Sequence, residues 1–304
     1  MMSNGNSPGT LPSVAAPAAG KPAPGVRRRH LLSGRLGYHA VAILLALIFI
    51  LPLVWIVSTS LRQVGLPPPR TIEWLPRPLA WQNYSQIFSL LPFSRYILNS
   101  LIVALVAVPF TLLTASWAGF AMSQLSTRAR NHLLALSIGL LMVPITALWL
   151  TRFVLFSWLG LVDTFTLLVT PALMGSSPLF VLLFYWTFRR IPADLFASAR
   201  LEGANALAIW RYVAFPLARA TFVAVGLLSF LLYWNDFINP LLYLKSQERY
   251  TLAVGVQQLQ QLDQNNWPLL MVGCVLMILP TLLLFFIGQR FFSQENRIVG
   301  IYGH

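Results

Sequence analysis

Chemistry on a protein usually needs acids, bases or nucleophiles set close together, and this sequence supplies few of them. Its eight acidic residues are Glu73, Asp163, Asp194, Glu202, Asp236, Glu248, Asp263 and Glu295. Most fall between apolar runs, and no close pair of them stands where a general acid and base would be needed. The four histidines, His30, His39, His132 and His304, are scattered and lack the HExxH spacing of a zinc site. No GxSxG nucleophile elbow occurs. Lys21 and Lys245 are the lysines of the chain, and neither ends a GxxxxGK[ST] phosphate loop. Cys274 stands alone inside an apolar segment, so it reads as a buried structural thiol and not as half of a disulfide or one ligand of a multi-cysteine metal site. The expectation is no catalytic residue, no bound metal and no nucleotide held by this chain.

The remaining polar chemistry lies in two places. One is the segment Ile191-Pro192-Ala193-Asp194-Leu195-Phe196-Ala197-Ser198-Ala199-Arg200-Leu201-Glu202-Gly203-Ala204. Pro192 suits the start of a helix, and Asp194 falls in the first turn, where negative charge complements the helix dipole. Ala197, Ser198 and Ala199 are small enough to let another surface approach, and Gly203 permits a sharp change of direction. A second helical stretch through Trp210 should follow, before Pro216 opens the next apolar run. Two short helices at an angle make a knob suited to a groove on another protein. The other place is Trp234-Asn235-Asp236-Phe237. Asp236 reads first as a polar cap at a membrane interface; with Asn99 and Asn235 it is also a candidate for lining a translocation path.

The elements that must position these residues are membrane spans. The sequence is 57% hydrophobic and 10% charged, with a mean hydropathy of +0.69. Soluble domains carry about 45–50% apolar and about 25% charged residues, and a larger soluble core would need polar cover that this chain lacks. About 20 apolar residues cross a bilayer as a helix. Six runs qualify: Tyr38 to Thr59, Ile97 to Met122, His132 to Phe156, Phe165 to Phe188, Pro216 to Trp234 and Trp267 to Phe291. Pro52, Pro144, Pro171 and Pro280 lie inside them and predict kinks and not breaks, since neighbours in a bundle can satisfy the freed carbonyls. Residues 1–36 are rich in Pro, Ala, Gly and Ser without the apolar stretch of a signal peptide, and are expected to form a disordered basic cytoplasmic tail.

A net charge of +13 can mark a nucleic-acid binder, but the basic residues sit between apolar runs and not along one face. They are topology signals. With the N-terminus inside, two thirds of the 21 Lys and Arg residues fall on the cytoplasmic side, which places both termini there.

The Ile191–Ala204 loop resembles the EAA loop of permease subunits in binding-protein-dependent ABC importers, most like the carbohydrate-uptake branch of the maltose and glycerol-phosphate permease type. Ile191-Pro192, Asp194-Leu195, Arg200, Glu202-Gly203-Ala204 and Phe215-Pro216 follow the pattern; the triplet reads Ala197-Ser198-Ala199 and lacks its glutamate. Asn83-Tyr84, Asn99-Ser100, Leu159 to Thr164, Trp234-Asn235-Asp236 and Gln289-Arg290 follow in the family's order, so the resemblance covers nearly all of the chain after the tail.

The resemblance implies an all-α integral membrane protein of six transmembrane helices, residues 37–304, with a cytoplasmic coupling-helix loop between spans four and five. It implies a bacterial or archaeal plasma membrane and, by likeness to that branch, a sugar or sugar derivative as the solute, delivered by an extracytoplasmic binding protein. The implied partners are a second permease subunit and an ATPase dimer that carries the ATP and Mg; no nucleic acid is expected. Asp194, Leu195, Ala197, Ala199, Glu202, Gly203 and Pro216 become the ATPase-coupling residues. The Gln-rich outer segment from Lys245 to Asn266 is expected either to meet the binding protein or to be a solvated loop. The rival reading is a stand-alone secondary transporter or channel, which usually shows internal repeats around a midplane site; no convincing duplication is visible here.

Overall fold

Apolar helices long enough for a bilayer dominate the computed structural model, which describes residues 26–66, 73–262 and 266–302, with side chains from residue 37 to residue 290. Residues 1–25 of the expected tail, Pro67, Pro68 and Pro69, and Asp263 and Gln264 of the outer segment lie outside them. The chain divides into two units, residues 1–53 and 54–304. What is described of the first belongs to helix α1 (Val26–Ser60), which starts ten residues before the expected tail boundary at 36. From Gly37 to Leu51 it is exposed on every side, as a helix whose surroundings are lipid or other subunits should be.

The second unit contains α2 (Asn83–Leu90), α3 (Phe93–Gln124), α4 (Thr127–Met142), α5 (Trp149–Trp158), α6 (Thr166–Val169) and α7 (Pro178–Arg189). It continues with α8 (Ala193–Leu201), α9 (Ala206–Ile209), α10 (Phe215–Leu217), α11 (Arg219–Trp234), α12 (Ile238–Tyr243), α13 (Leu252–Leu262) and α14 (Trp267–Tyr302). No strand occurs among the described residues. Among the described residues, four helical stretches are long and apolar enough to cross a membrane, and up to six if each of two bent pairs is one span.

Helix α3 is the central post. It packs along α7 and α11, and Ala115, Ser116 and Gly119 form its closest face. A Cβ built on Gly119 would fall 2.7 Å from Phe184 Cβ and 2.8 Å from both Tyr185 N and Val181 O, so only glycine lets α3 and α7 approach this closely. Pro52, Pro109 and Pro280 stay inside continuous helices.

Pro144 does not. The third expected span is broken: α4 ends at Met142, Val143 and Pro144 are extended, and the chain resumes 86° away through a 3-10 turn and α5. Proline pushes its predecessor out of the helical region and offers no N–H, and here the chain turns instead of bridging the gap. Span five is corrected as well. Pro216 sits in the last turn of the preceding helical stretch, and the span opens at Arg219 after an 85° bend at Ala218. Pro171 lies in a 3-10 turn, Thr170–Met174, that ends at Gly175 before α7. The outer segment is not a loop throughout, since α13 buries Leu252, Val254, Val256 and Leu259 against α3 and α14.

Candidate functional site

The 191–218 segment is built as a short anchored unit. Pro192 precedes α8, Asp194 sits in its first turn and Arg200 in its last, both favourable to the dipole. Gly203 then takes φ +84°, which an L side chain adopts only with strain, and an added Cβ there would meet open space. Asn205 caps α9 by accepting from Ala208 N at 2.8 Å. A π-helical turn, Trp210–Ala214, leads into α10. Such turns are rare and store irregular backbone; the buried Trp210 indole N–H in this one has no partner.

Helix α8 has two unlike faces. Phe196 is buried and sets its ring edge-on to Phe120 of α3 at 6.0 Å, while Phe120 meets Phe188 of α7 at 5.7 Å. Ala199 is half-buried beside them. On the other face Asp194, Leu195, Ala197, Arg200, Leu201, Glu202 and Gly203 are exposed, Leu201 at 90%. Arg200 reaches back to Gln124 Oε1 at the end of α3. The aromatic contacts continue from Phe188 to Phe184, from Phe184 to Phe222 of α11 at 4.6 Å, and from Phe222 to Phe215 at 4.6 Å. Pro216 is half-buried in this neighbourhood. The structure therefore places Asp194, Leu195, Ala197 and Ala199 on α8, Glu202 and Gly203 at its end and Pro216 on α10, with α8 packed on α3 and reaching α7 and α11 through the chain of aromatic rings.

Asn235 and Asp236 lie elsewhere, at the far end of α11, and line a cavity of about 370 Å³. Its walls are α5 with the turn before it, the α6–Ser176 stretch, and the link from α11 to α12. Asp236 accepts from Asn239 N at 3.2 Å and from Asn239 Nδ2 at 2.8 Å, which fixes the start of α12. Arg152 of α5 lines this cavity with Asp236, and its guanidinium also reaches the Tyr243 hydroxyl. Behind it, Thr111, Ser176 and Tyr233 form a hydroxyl chain with steps of 2.5 and 2.7 Å. Ser176 holds a left-handed φ of +59° to make it.

Asn99 is not in this cavity. It is buried in α3 and donates to Glu248 O and Tyr250 O, both at 2.9 Å, so it pins the segment ahead of α13. Asp163 fastens the other side of that segment, accepting from Lys245 N at 2.9 Å, Ser246 N at 3.1 Å and Ser246 Oγ at 2.5 Å, and pairing with Arg249 at 3.2 Å. Partial burial pushes its carboxyl up, but the Ser246 hydroxyl, the two backbone N–H groups and Arg249 together outweigh that and hold it below the usual carboxylate value. Sequence reasoning missed Arg152. Its signal was present, because an arginine inside an apolar run is by default a functional residue.

Residues 33–298 match the family described as the inner membrane component of binding-protein-dependent transport systems. The chain belongs to that family. Among its relatives, the permease is 30% identical over 249 residues to the arabinooligosaccharides transport system permease protein AraQ of Bacillus subtilis, covering 81% of this chain and 86% of that one. It is 29% identical to the sulfoquinovosyl glycerol transport system permease protein SmoH of Agrobacterium fabrum, covering 79% of this chain and 84% of that one. The crystal structure of a bacterial ABC transporter that imports the acidic polysaccharide alginate contains a chain of the same fold, with a TM-score of 0.69 at 21% identity over 89% of this permease and all of that chain.

Proposed function

We propose that this permease is one of two membrane subunits of an ATP-driven sugar importer, and that α8 is its contact with a separate ATPase. The observation that carries this reading is the division of α8: Phe196 is locked into the α3–α7 core while Leu195 and Leu201 stand exposed on the outer side. A nine-residue helix of this kind does not hold itself together in water, so its stability depends on what it packs against. Exposed leucines beside a flexible corner at Gly203 suit a hydrophobic cleft on another protein.

Saccharides are supported by the relatives, whose names include arabinooligosaccharides and sulfoquinovosyl glycerol. The family description supports delivery by a binding protein. ATP and Mg sit on the partner ATPase, since this chain has no phosphate loop. The arginines of the 189–219 segment support a cytoplasmic side for that segment and for both termini. ATPase closure then moves α8, and the packed aromatic rings carry the displacement to α3, α7 and α11.

The test is to purify the tagged chain in mild detergent with whatever co-purifies, reconstitute it, and measure ATP hydrolysis and saccharide uptake. Recovery of a second permease and an ATPase, with hydrolysis uncoupled from uptake by Leu201→Asp, supports the reading. A lone chain that moves solute without ATP overturns it in favour of a secondary carrier.

A further inference from the structure

We infer that this subunit contacts the transported sugar itself, in the cavity between α5 and the α11–α12 link, and that the cavity is built for an uncharged polyhydroxylated ring. This rests on the importer reading above and adds to it which chain holds substrate and of what charge.

Three features of the cavity point the same way. The first is its size: about 370 Å³ lies at the lower end of the ~300–1,000 Å³ range of small-molecule sites, enough for one or two sugar rings. The second is its polar equipment. Arg152, Asn235, Asp236 and Asn239 face a space whose other walls are mostly aliphatic. An arginine and an aspartate within an apolar bundle are costly to keep, and such residues usually mark a substrate path. They do not cancel by pairing, because among the described residues no ion pair of 4.0 Å or less joins Arg152 to an acid. Asp236 instead spends its oxygens on Asn239, and the Asn239 side-chain oxygen is left without a partner. The guanidinium, which also reaches the Tyr243 hydroxyl, and the amide of the exposed Asn235, which already donates once to Leu231 O at 3.1 Å, each keep further N–H donors, and Asp236 has lone pairs beyond the two bonds it accepts. Vicinal hydroxyls, each both donor and acceptor, match that mixture.

The third feature is aromatic. Trp149 of α5 and Tyr233 of α11 both line the cavity; Tyr233 is 6% exposed with its hydroxyl engaged by Ser176, so the half-buried Trp149 is the ring more open to apolar contact. An indole or phenol ring against the C–H face of a sugar buries apolar area while the ring hydroxyls meet the polar side.

The charge argument selects among sugars. One guanidinium and one carboxyl group share the cavity, so neither sign of ligand charge is favoured overall, and a phosphate or carboxylate set against Arg152 would face Asp236 across the same small space. A neutral ring satisfies both groups through hydrogen bonds without an uncompensated charge.

The experiment uses the reconstituted transporter with its partner subunits. ATP-dependent uptake is measured for arabinotriose, lactose and maltotriose, and for digalacturonate and glucose 6-phosphate. In parallel, Asn235→Cys in a Cys274→Ala background is labelled with a maleimide in the presence of each sugar. The expected result is uptake of at least one neutral sugar, at least tenfold slower labelling of Cys at position 235 when that sugar is present, and no protection by the two anions. Arg152→Gln and Asp236→Asn should each lower neutral-sugar uptake at least tenfold at low concentration, with the complex still co-purifying in normal yield. Uptake of neutral sugars with labelling unaffected by any of them overturns the site and leaves the importer reading standing. Uptake of only the anionic sugars overturns the charge assignment. ATP-dependent uptake of none of the five overturns the importer reading and this inference with it.

Discussion

Removing the ring that anchors α8 tests the mechanical reading most directly. Phe196 is 5% exposed, its ring sits edge-on to Phe120 at 6.0 Å, and it belongs to a cluster with Phe184, Phe188, Ile209 and Trp210. Truncating a buried phenylalanine to alanine costs about 3–5 kcal/mol in a packed core. In Phe196→Ala that loss should fall on α8 and not on the bundle, because α3 and α7 keep Phe120, Phe184 and Phe188 in contact without it. Helix α8 retains the Arg200–Gln124 bond and the Gly203 turn, neither of which supplies comparable apolar burial. At a factor of ten per ~1.4 kcal/mol, local opening of α8 becomes about a hundredfold to a few thousandfold more frequent. Hydrogen exchange on the protein in nanodiscs reads this out: amides of 195–201 should lose protection by that factor while those of 100–120 keep theirs. Phe196→Leu should recover most of it. Two results refute the reasoning. Unchanged exchange over 195–201 means that the ring does not anchor the helix, and an equal loss across α3 means that Phe196 supports the whole bundle.

The other predictions address separate contacts. Gly119→Ala should destabilise the protein by about 1–3 kcal/mol, read as a lower midpoint of thermal unfolding in detergent, because two of the three atoms its Cβ meets below 3 Å are backbone; an unchanged midpoint would show that α3 and α7 can slide apart. Gly203→Val should cost about 1–2 kcal/mol through its left-handed φ alone and impair coupling of hydrolysis to uptake, whereas Gly203→Asn, which tolerates that φ, should keep it; equal effects would point to sterics at the docking surface. For Asp163 the folded pKa is depressed, so its stabilisation is fully present at neutral pH and is lost as pH falls through the ordinary carboxylate value of about 3.9 toward the lower folded one. Limited proteolysis between 243 and 250 should therefore find Asp163→Asn at pH 7 as cleavable as the parent at low pH, and equal resistance of the two at pH 7 would remove Asp163 from the role. Cross-linkers at Gln261, which is exposed, should capture the binding protein more readily than at Gln258, whose Oε1 accepts from Tyr96 at 3.0 Å; the reverse order would detach α13 from that partner.

What could be read from the sequence was whatever depends on near neighbours. The apolar runs behind α1, α3 and α14 are set by composition over 20 residues, and their ends fell within a few residues of the helices, apart from extensions at the two termini. The α8 corner was legible because Pro192, Asp194 and Gly203 act through local backbone preferences. Pro144 was misjudged because a proline kinks or breaks a span according to what neighbouring helices offer its freed carbonyls, and that is decided in space. Asn99 was a path candidate by residue type, yet its partners lie at 248 and 250, about 150 positions away. Helix α13 carried a helical spacing of Leu252, Val256 and Leu259 that its glutamines obscured.

The position of α11 connects the two sites. Its first turns carry Phe222, wedged between Phe184 and Phe215 beside the coupling segment, and its last turn carries Tyr233 just before Asn235 and Asp236 at the cavity. Sixteen helical residues at ~1.5 Å each span about 24 Å of stiff rod. A rod of that kind transmits translation with little loss, whereas a loop of equal length would absorb it. The 85° bend at Ala218 and the π-helical turn before it let the coupling segment push on one end without unwinding the rod. The Asp236–Asn239 bonds join the other end to α12, so motion of α11 carries the carboxylate relative to Arg152 on α5. Close-packed interfaces favour discrete arrangements over continuous ones. A small displacement at α8 therefore changes the separation of the guanidinium and the carboxylate that hold the sugar, which is the alternation of grip and release that a transport cycle requires.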